Sequence, residues 1–241
     1  MRFDILTIFP DYVNMILSES IIGKARENGH IDVNTHDIRA FAGNKHNRVD
    51  DTPYGGGMGM LMMAPPIYDC YASVVQALPK NTTHRVIYLS PKGSVFSQKK
   101  AEELSHYDSL ILLCGHYEGV DQRVLDEIVD EEISVGDYVL TGGELPACIL
   151  VDAVARLCDG VLSDALCYTE ESIASGLLEY PQYTRPAVFR GVAVPQVLRN
   201  GNHAEINTWR LQQAISLTQQ RRPDLYKAYL EHTTDGEAIH H

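Results

Sequence analysis

The 241-residue chain lacks the marks of several protein classes. Its five cysteines, at positions 70, 114, 148, 158 and 167, form no Cys-x-x-Cys pair. An odd count without metal-ligand spacing argues against a zinc site or a disulfide framework, and for reduced thiols. No apolar run approaches the roughly 18 residues that a membrane helix needs. The N-terminus carries Arg2 and Asp4 and lacks a signal-peptide apolar region. Internal repeats and low-complexity tracts are absent too. These absences point to a soluble, cytoplasmic protein. Basic charge is scarce: the net charge is −12, which at first argues against a nucleic-acid partner.

What is present changes that last inference. The chain is 44% hydrophobic, enough to bury a core in one large or two modest domains. Its charge is uneven. Between Glu102 and Asp137 eleven acids stand against one base, Arg123. From Gly176 to His232 seven bases outnumber four acids, and residues 1–101 carry eleven bases and nine acids. A polyanion bound locally is therefore compatible with the composition.

Apolar strands and helices alternate in the first half. Strands are expected at Phe3–Phe9, Ile31–His36, Arg85–Leu89 and Ser109–Cys114. Helices are expected from Pro10 to Gly29, over Pro65–Leu78, Phe96–Leu104 and Val120–Val129, and over the apolar 147–158. Buried strands separated by helices imply a parallel α/β sheet with helices on both faces. Gly43–Gly59 reads as a long polar loop. Residues 161–176 are small and polar with no period, the best linker candidate between a domain over 1–160 and a second over 177–241. The second half reads as helical, with helices near 202–220 and after Pro223; Asn202 and Glu205 have capping-box spacing.

Ligands bind such sheets at the strand ends, which here carry "YLSPKG" (88–93), "CGHYEGVDQR" (114–123) and "SVGDYVLTGGELP" (134–146). Gly115 and Gly119 allow close backbone approach. Glu118 offers a carboxylate to a ribose or a cation. Val135, Val139 and Leu140 with Gly136, Gly142 and Gly143 suit a flat aromatic such as adenine. Three such loops make a case for a nucleotide-like cofactor. "VDDTPYGGGMGM" (49–60) is neither a Walker A loop, since Met60 follows Gly59, nor Gly-x-Gly-x-x-Gly. It reads either as a flexible loop or as backbone meant to approach a ligand. In "EYPQYTRP", Tyr180, Tyr183 and Arg185 suit base stacking and phosphate contact. Trp209 reads as a packing residue.

Together these segments closely resemble the bacterial tRNA (guanine-N1)-methyltransferases of the SPOUT class. The matching stretches are "IFP" (8–10), "VDDTPYGGGMGMLM" (49–62), "IYLSPKG" (87–93), the two loops at 114–123 and 134–146, "GLLEYPQYTRP" (176–186) and "GNHAEINTWR" (201–210). They run in order along essentially the whole chain. The resemblance implies a deep trefoil knot in the sheet, which general topology rules would have argued against, and a small helical C-terminal tRNA-binding domain. It implies S-adenosyl-L-methionine as methyl donor, a magnesium requirement, tRNA as substrate and a homodimer whose active sites are shared between subunits.

Residue by residue, the resemblance assigns Tyr88, Leu89, Ser90, Gly115, Tyr117, Glu118, Gly119, Val135, Gly136, Tyr138, Leu140, Gly142, Gly143 and Pro146 to the cofactor pocket. Arg156 matches the catalytic arginine. The family's general base is an aspartate; in "TEES" here the matching residue is Glu171, one methylene longer with the same carboxylate chemistry. Asp50, Gly55 and Gly57 match the region that holds the target guanosine, and Arg185 and His203 fall in the matching tRNA-binding segments. The implied reaction is methylation of N1 of the guanosine 3′ of the anticodon (position 37). The replacement at Glu171 leaves a second expectation open, a SPOUT module that binds RNA without turnover.

Overall fold

The computed structural model describes residues 1–162 and 176–234. The chain divides into two compact units, Met1–Asp164 and Ala165–His241. The first is built from β1 (Arg2–Thr7), α1 (Pro10–Leu17), α2 (Ser20–Glu27), β2 (Asp32–Asp37), β3 (Asp50–Asp51), β4 (Leu61–Met62), α3 (Ala64–Ala77), β5 (His84–Val95), α4 (Gln98–Leu104), β6 (Ser109–Cys114), α5 (Gln122–Ile128), β7 (Glu131–Ser134) and α6 (Glu144–Ala155). Five strands form one sheet, all parallel, in the order β2-β1-β6-β5-β7.

The pleat sorts the apolar strand residues to two cores. Leu110, Leu112 and Cys114 of β6 join Val13, Leu104 and Val151 from α1, α4 and α6. Ile111 and Leu113 point the other way and join Ile67, Val74 and Val124 from α3 and α5. Burial on both faces is why β6 reads "SLILLC", with every residue buried. Each large side chain so buried stabilises the fold by about 1.5–3 kcal/mol. Local signals set the helix starts: Pro begins α1 and α3, Ser97 Oγ accepts from Lys100 N, and the Asp121 carboxylate accepts from Arg123 N.

Charge is buried inside this apolar frame as well. Asp4 on β1 is fully buried, with Arg2 Nε 2.7 Å and His36 Nε2 2.8 Å from its carboxylate. Burial alone would raise this carboxyl. The hydrogen bonds from His36 and Arg2 outweigh it and hold Asp4 below the usual carboxylate range.

Several expectations need correction. The helix expected from Pro10 to Gly29 breaks into α1 and α2. The Ser18 hydroxyl turns back to the Asn14 carbonyl, and Ser20 takes a φ of +59°. Strand β5 runs on to Val95 because Ile133 pairs with both Leu89 and Ser94, leaving Ser90–Gly93 looped out between them. Strand β7 received no bounds from the sequence, which placed only a strand end before the 134–146 loop; "EEIS" carries too much charge to read as a buried strand. Helix α6 starts at Glu144, before the expected 147, and ends at Ala155 with Arg156 as its cap.

In the second unit, β8 (Val188–Phe189) and β9 (Val192–Ala193) form a hairpin, followed by α7 (His203–Arg221) and α8 (Pro223–Thr234). Half of the expected capping box forms: the Asn202 side chain accepts from Glu205 N, whereas the Glu205 carboxylate takes a hydrogen bond from Asn200 instead. Thr218 is buried and stitches the unit, accepting from Leu178 N at 2.8 Å and donating to the Ala214 carbonyl at 2.7 Å. Trp209 meets the Tyr183 ring at 6.4 Å, and Arg210 lies 5.0 Å over the Tyr180 ring. Among the described residues no helix is long and apolar enough to cross a membrane.

Candidate functional site

A cleft of about 360 Å³ opens outside the carboxyl ends of β5, β6 and β7, a volume typical of small-ligand sites. Three loops wall it. The looped-out Ser90–Gly93 segment supplies Ser90, Pro91 and Lys92; the turn after β6 supplies Gly115 to Gly119; the loop after β7 supplies Val135, Gly136 and Tyr138 to Gly143. All fourteen residues expected at the cofactor pocket line this one cleft.

Close packing explains two of the glycines. A Cβ on Gly143 would stand 2.7 Å from Cys114 Cα and 3.0 Å from Gly115 N, both backbone atoms. Its own N–H donates to the Gly115 carbonyl at 2.9 Å. The start of α6 is thus fastened to the end of β6, directly at the cleft. A Cβ on Gly115 would meet the Tyr88 ring, 2.8 Å from its hydroxyl. Tyr88 itself is buried, and burial first and the charge of Glu132 second push its hydroxyl up to about 12.

Behind the cleft, the Glu144 carboxylate is buried at the first turn of α6. It accepts from Thr7 Oγ1 at 2.8 Å, and Thr7 in turn accepts from Phe9 N. His116 Nδ1 lies 3.9 Å from Glu144, too far for a hydrogen bond, and has no such partner among the described residues. The His116 ring packs edge-on to Phe9 and Tyr117, with centroids 5.1 and 5.2 Å away.

The glycine-rich loop is tied to the same cleft. Strands β3 and β4 pair, Asp50 opposite Met62. Met62 N then donates to the Gly119 carbonyl, Asp121 N to the Met62 carbonyl and Glu118 N to the Met60 carbonyl. Leu61 reaches the cleft wall. Gly55, Gly56, Gly57 and Gly59 all have φ between +81° and +135°, a region that side chains resist, which is why the segment is written in glycine. Tyr54 is 100% exposed and Met58 94%. Asp50 is mostly covered, beside Arg48 Nε at 3.9 Å.

Arg156 is not among the residues that line the cleft. Arg156 caps the far end of α6, twelve residues beyond Glu144, roughly 18 Å along the axis at 1.5 Å per residue. Arg185 and His203 are exposed residues of the second unit, His203 as the first residue of α7. Glu171 lies outside the described residues, as does most of the 161–176 segment. Among the described residues no group of three or more His, Cys, Asp or Glu side chains converges as a metal cluster. The sequence reading missed Lys92, His116, Gln122 and Glu132, which also line the cleft. The first three sit inside quoted motifs. Glu132 was hidden in the acidic run between Glu102 and Asp137.

A parallel sheet covered on both faces, with a glycine-walled cleft at its strand ends, defines an α/β protein built to hold a small ligand there. The model of the family described as tRNA (Guanine-1)-methyltransferase TrmD matches residues 1–228, and the chain belongs to that family. It is 53% identical to a tRNA (guanine-N(1)-)-methyltransferase of Ruminiclostridium cellulolyticum over 94% of this chain and 96% of that one. It is 56% identical to the enzyme of that name from Alkaliphilus metalliredigens, over 94% and 92% of the two chains. The same name belongs to a Clostridioides difficile protein 51% identical over 94% and 98%.

Proposed function

We propose that the chain methylates N1 of the guanosine 3′ of the anticodon in tRNA, with S-adenosyl-L-methionine as donor. The observation that carries this reading, beside the family match, is that one cleft gathers all fourteen expected cofactor residues and is bonded to the glycine-rich loop through Met60 and Met62. The donor supplies an activated methyl group when bound. The residues fit it: glycine backbone for close approach, apolar Val135, Leu140 and Pro146 for an adenine, and acidic Glu118 and Glu132 as acceptors.

Guanine N1 keeps its proton at neutral pH and is a poor nucleophile. Glu171 removes that proton as general base. Negative charge spreads to O6 of the guanine, where the Arg156 guanidinium stabilises it. The glycine loop holds the target base, with Asp50 accepting from its edge and the open backbone of Gly55 and Gly57 admitting it, after the base has left its stack. Much of the remaining barrier reduction is alignment of N1 with the methyl carbon. The magnesium ion that the resemblance implies finds no donor cluster among the described residues.

The functional enzyme is a homodimer with shared active sites. Two features support this. Arg156 caps α6 roughly 15 Å along its axis from Pro146, which lines the cleft of its own chain. Tyr12 and Met15 of α1 and Leu145 and Ile149 of α6 are 40–63% exposed, an apolar face on two adjoining helices. The looped-out Ser90–Gly93 segment and the clamp of Gly143 on Cys114 support the family's trefoil knot. The second unit binds tRNA through Arg185 and His203, and the protein works in the cytoplasm.

The test is transfer of labelled methyl from S-adenosylmethionine to a tRNA transcript with G 3′ of the anticodon, beside the same transcript with A there. Transfer to G alone is expected. Transfer to neither, with the cofactor bound, would leave the binding-module alternative and direct suspicion to Glu171.

A further inference from the structure

Three acids in a row, Asp130, Glu131 and Glu132, separate α5 from the interior of β7. Two of them are neutralised. Asp130 accepts from Val86 N at 2.7 Å and lies 3.8 Å from an Arg85 nitrogen. Glu131 lies 3.3 Å from Arg85 Nε and 3.2 Å from Lys100 Nζ. Alternation along the strand sends Glu132 to the opposite face, beside Tyr88, its partner in the β5–β7 register. There it lines the cleft. Its Oε2 is buried and has no hydrogen-bond partner among the described residues. Its charge is felt by the buried Tyr88 hydroxyl, which it helps to push up to about 12.

A buried carboxylate oxygen without a donor is unfavourable, and a neutral residue of the same size would be cheaper to fold around. The cleft therefore holds an acceptor built for a donor that arrives with the ligand. On the reading that this ligand is S-adenosylmethionine, we propose that Glu132 is the residue that recognises the ribose of the cofactor, accepting hydrogen bonds from its hydroxyls.

Chemistry selects the hydroxyls from the other possible partners. The two oxygens of a carboxylate can accept from two adjacent O–H donors at once, so a vicinal diol matches it. Glu118, the other acid of the cleft, is exposed, and its side chain packs against Gly59 on the side of the glycine-rich loop. Val135, Leu140 and Pro146, suited to the adenine face, come from beyond the strand, whereas Glu132 comes from β7 itself. A carboxylate placed against the sulfonium would hold the reactant more tightly than the transition state, in which that charge is dissipating, and would slow transfer. A hydrogen bond to the sugar is alike in both states and only secures binding.

The experiment is calorimetric titration of the full chain, wild type and Glu132→Gln, with S-adenosylmethionine, S-adenosylhomocysteine, and the 2′-deoxy and 3′-deoxy forms of S-adenosylhomocysteine. Glutamine keeps the shape and removes the charge. Glu132→Gln is expected to weaken both parent ligands by the same factor, about tenfold or more, as for loss of a hydrogen bond to a charged group. At least one deoxy ligand should lose a similar factor on the wild type and less than about threefold further on the variant, because both changes remove the same bond. Without ligand, Glu132→Gln should melt no lower than wild type, since the unpartnered charge is gone. Unchanged affinity, loss for S-adenosylmethionine alone, fully additive losses or a variant that fails to fold would each overturn the assignment. A wild type that binds neither parent ligand would overturn the cofactor reading itself, and this assignment with it.

Discussion

The clamp between Gly143 and the end of β6 can be tested with one methyl group. Replacing Gly143 by Ala puts a Cβ 2.7 Å from Cys114 Cα, 3.0 Å from Gly115 N and 3.2 Å from Cys114 C. Ordinary contact begins near 3.4 Å, so the two segments must part by roughly 0.7 Å or more. Neither can yield easily. Cys114 is fully buried in the central strand, and the Gly143 N–H is bonded to the Gly115 carbonyl. The backbone at Gly143 has φ −83°, which alanine adopts freely, so the whole effect is steric. Overpacking of this kind costs about 1–3 kcal/mol. At roughly 2–4 °C per kcal/mol for a protein of this size, the melting temperature should fall by about 2–12 °C. Because the shift opens the cleft wall itself, S-adenosylmethionine affinity should fall as well, measured by calorimetry on the folded variant. Gly29→Ala is the control. Its φ of +75° is strained for alanine, but nothing lies within 4 Å, so it should cost about 1 kcal/mol and leave binding untouched. A Gly143→Ala protein that melts and binds like wild type would refute the clamp.

Two further outcomes follow from the geometry. Asp4→Asn should destabilise the protein at neutral pH by about 1.5–3 kcal/mol, the range for hydrogen bonds to a charged group. Because the folded carboxyl of Asp4 lies below its ordinary value, that contribution is complete above the usual carboxylate range and fades as the pH falls through the folded value; denaturation curves of the two proteins should converge in acid, and a gap that stays constant to pH 2 would contradict the pairing with Arg2 and His36. Mixing inactive Arg156→Ala subunits with inactive subunits whose cleft is filled by Leu140→Trp should restore about one quarter of wild-type transfer if Arg156 serves the partner's cleft. Half of randomly formed dimers are mixed and each holds one intact site, whereas no recovery after subunit exchange would mean that Arg156 serves its own chain.

The sequence made the sheet legible where one residue type repeats. "SLILLC" admits only a strand buried on both faces, and Pro10, Pro65 and Pro223 mark helix starts that the structure keeps. It could not show the β5–β7 pairing. That pairing depends on Ser90–Gly93 leaving the strand and Ser94 rejoining it, and only the neighbouring strand β7 enforces this. Missing β7 had a direct consequence at the site. Without the strand, Glu131 and Glu132 are two equal members of an acidic run. With it, alternation places one among cations and the other in the cleft.

The same logic explains the glycine-rich loop, where two acids stand just before the glycines. Asp50 and Asp51 belong to a two-residue strand, and Met62 and Leu61 opposite them belong to the cleft wall or its support. The glycines between are the turn that closes this ribbon, with φ values that bar other residues. Because Met60 and Met62 are bonded to Glu118, Gly119 and Asp121, the ribbon is fastened to the turn after β6. On the proposed function, a base held by this ribbon shares a frame with the ligand in the cleft, because backbone hydrogen bonds join two segments that the sequence separates by more than fifty residues.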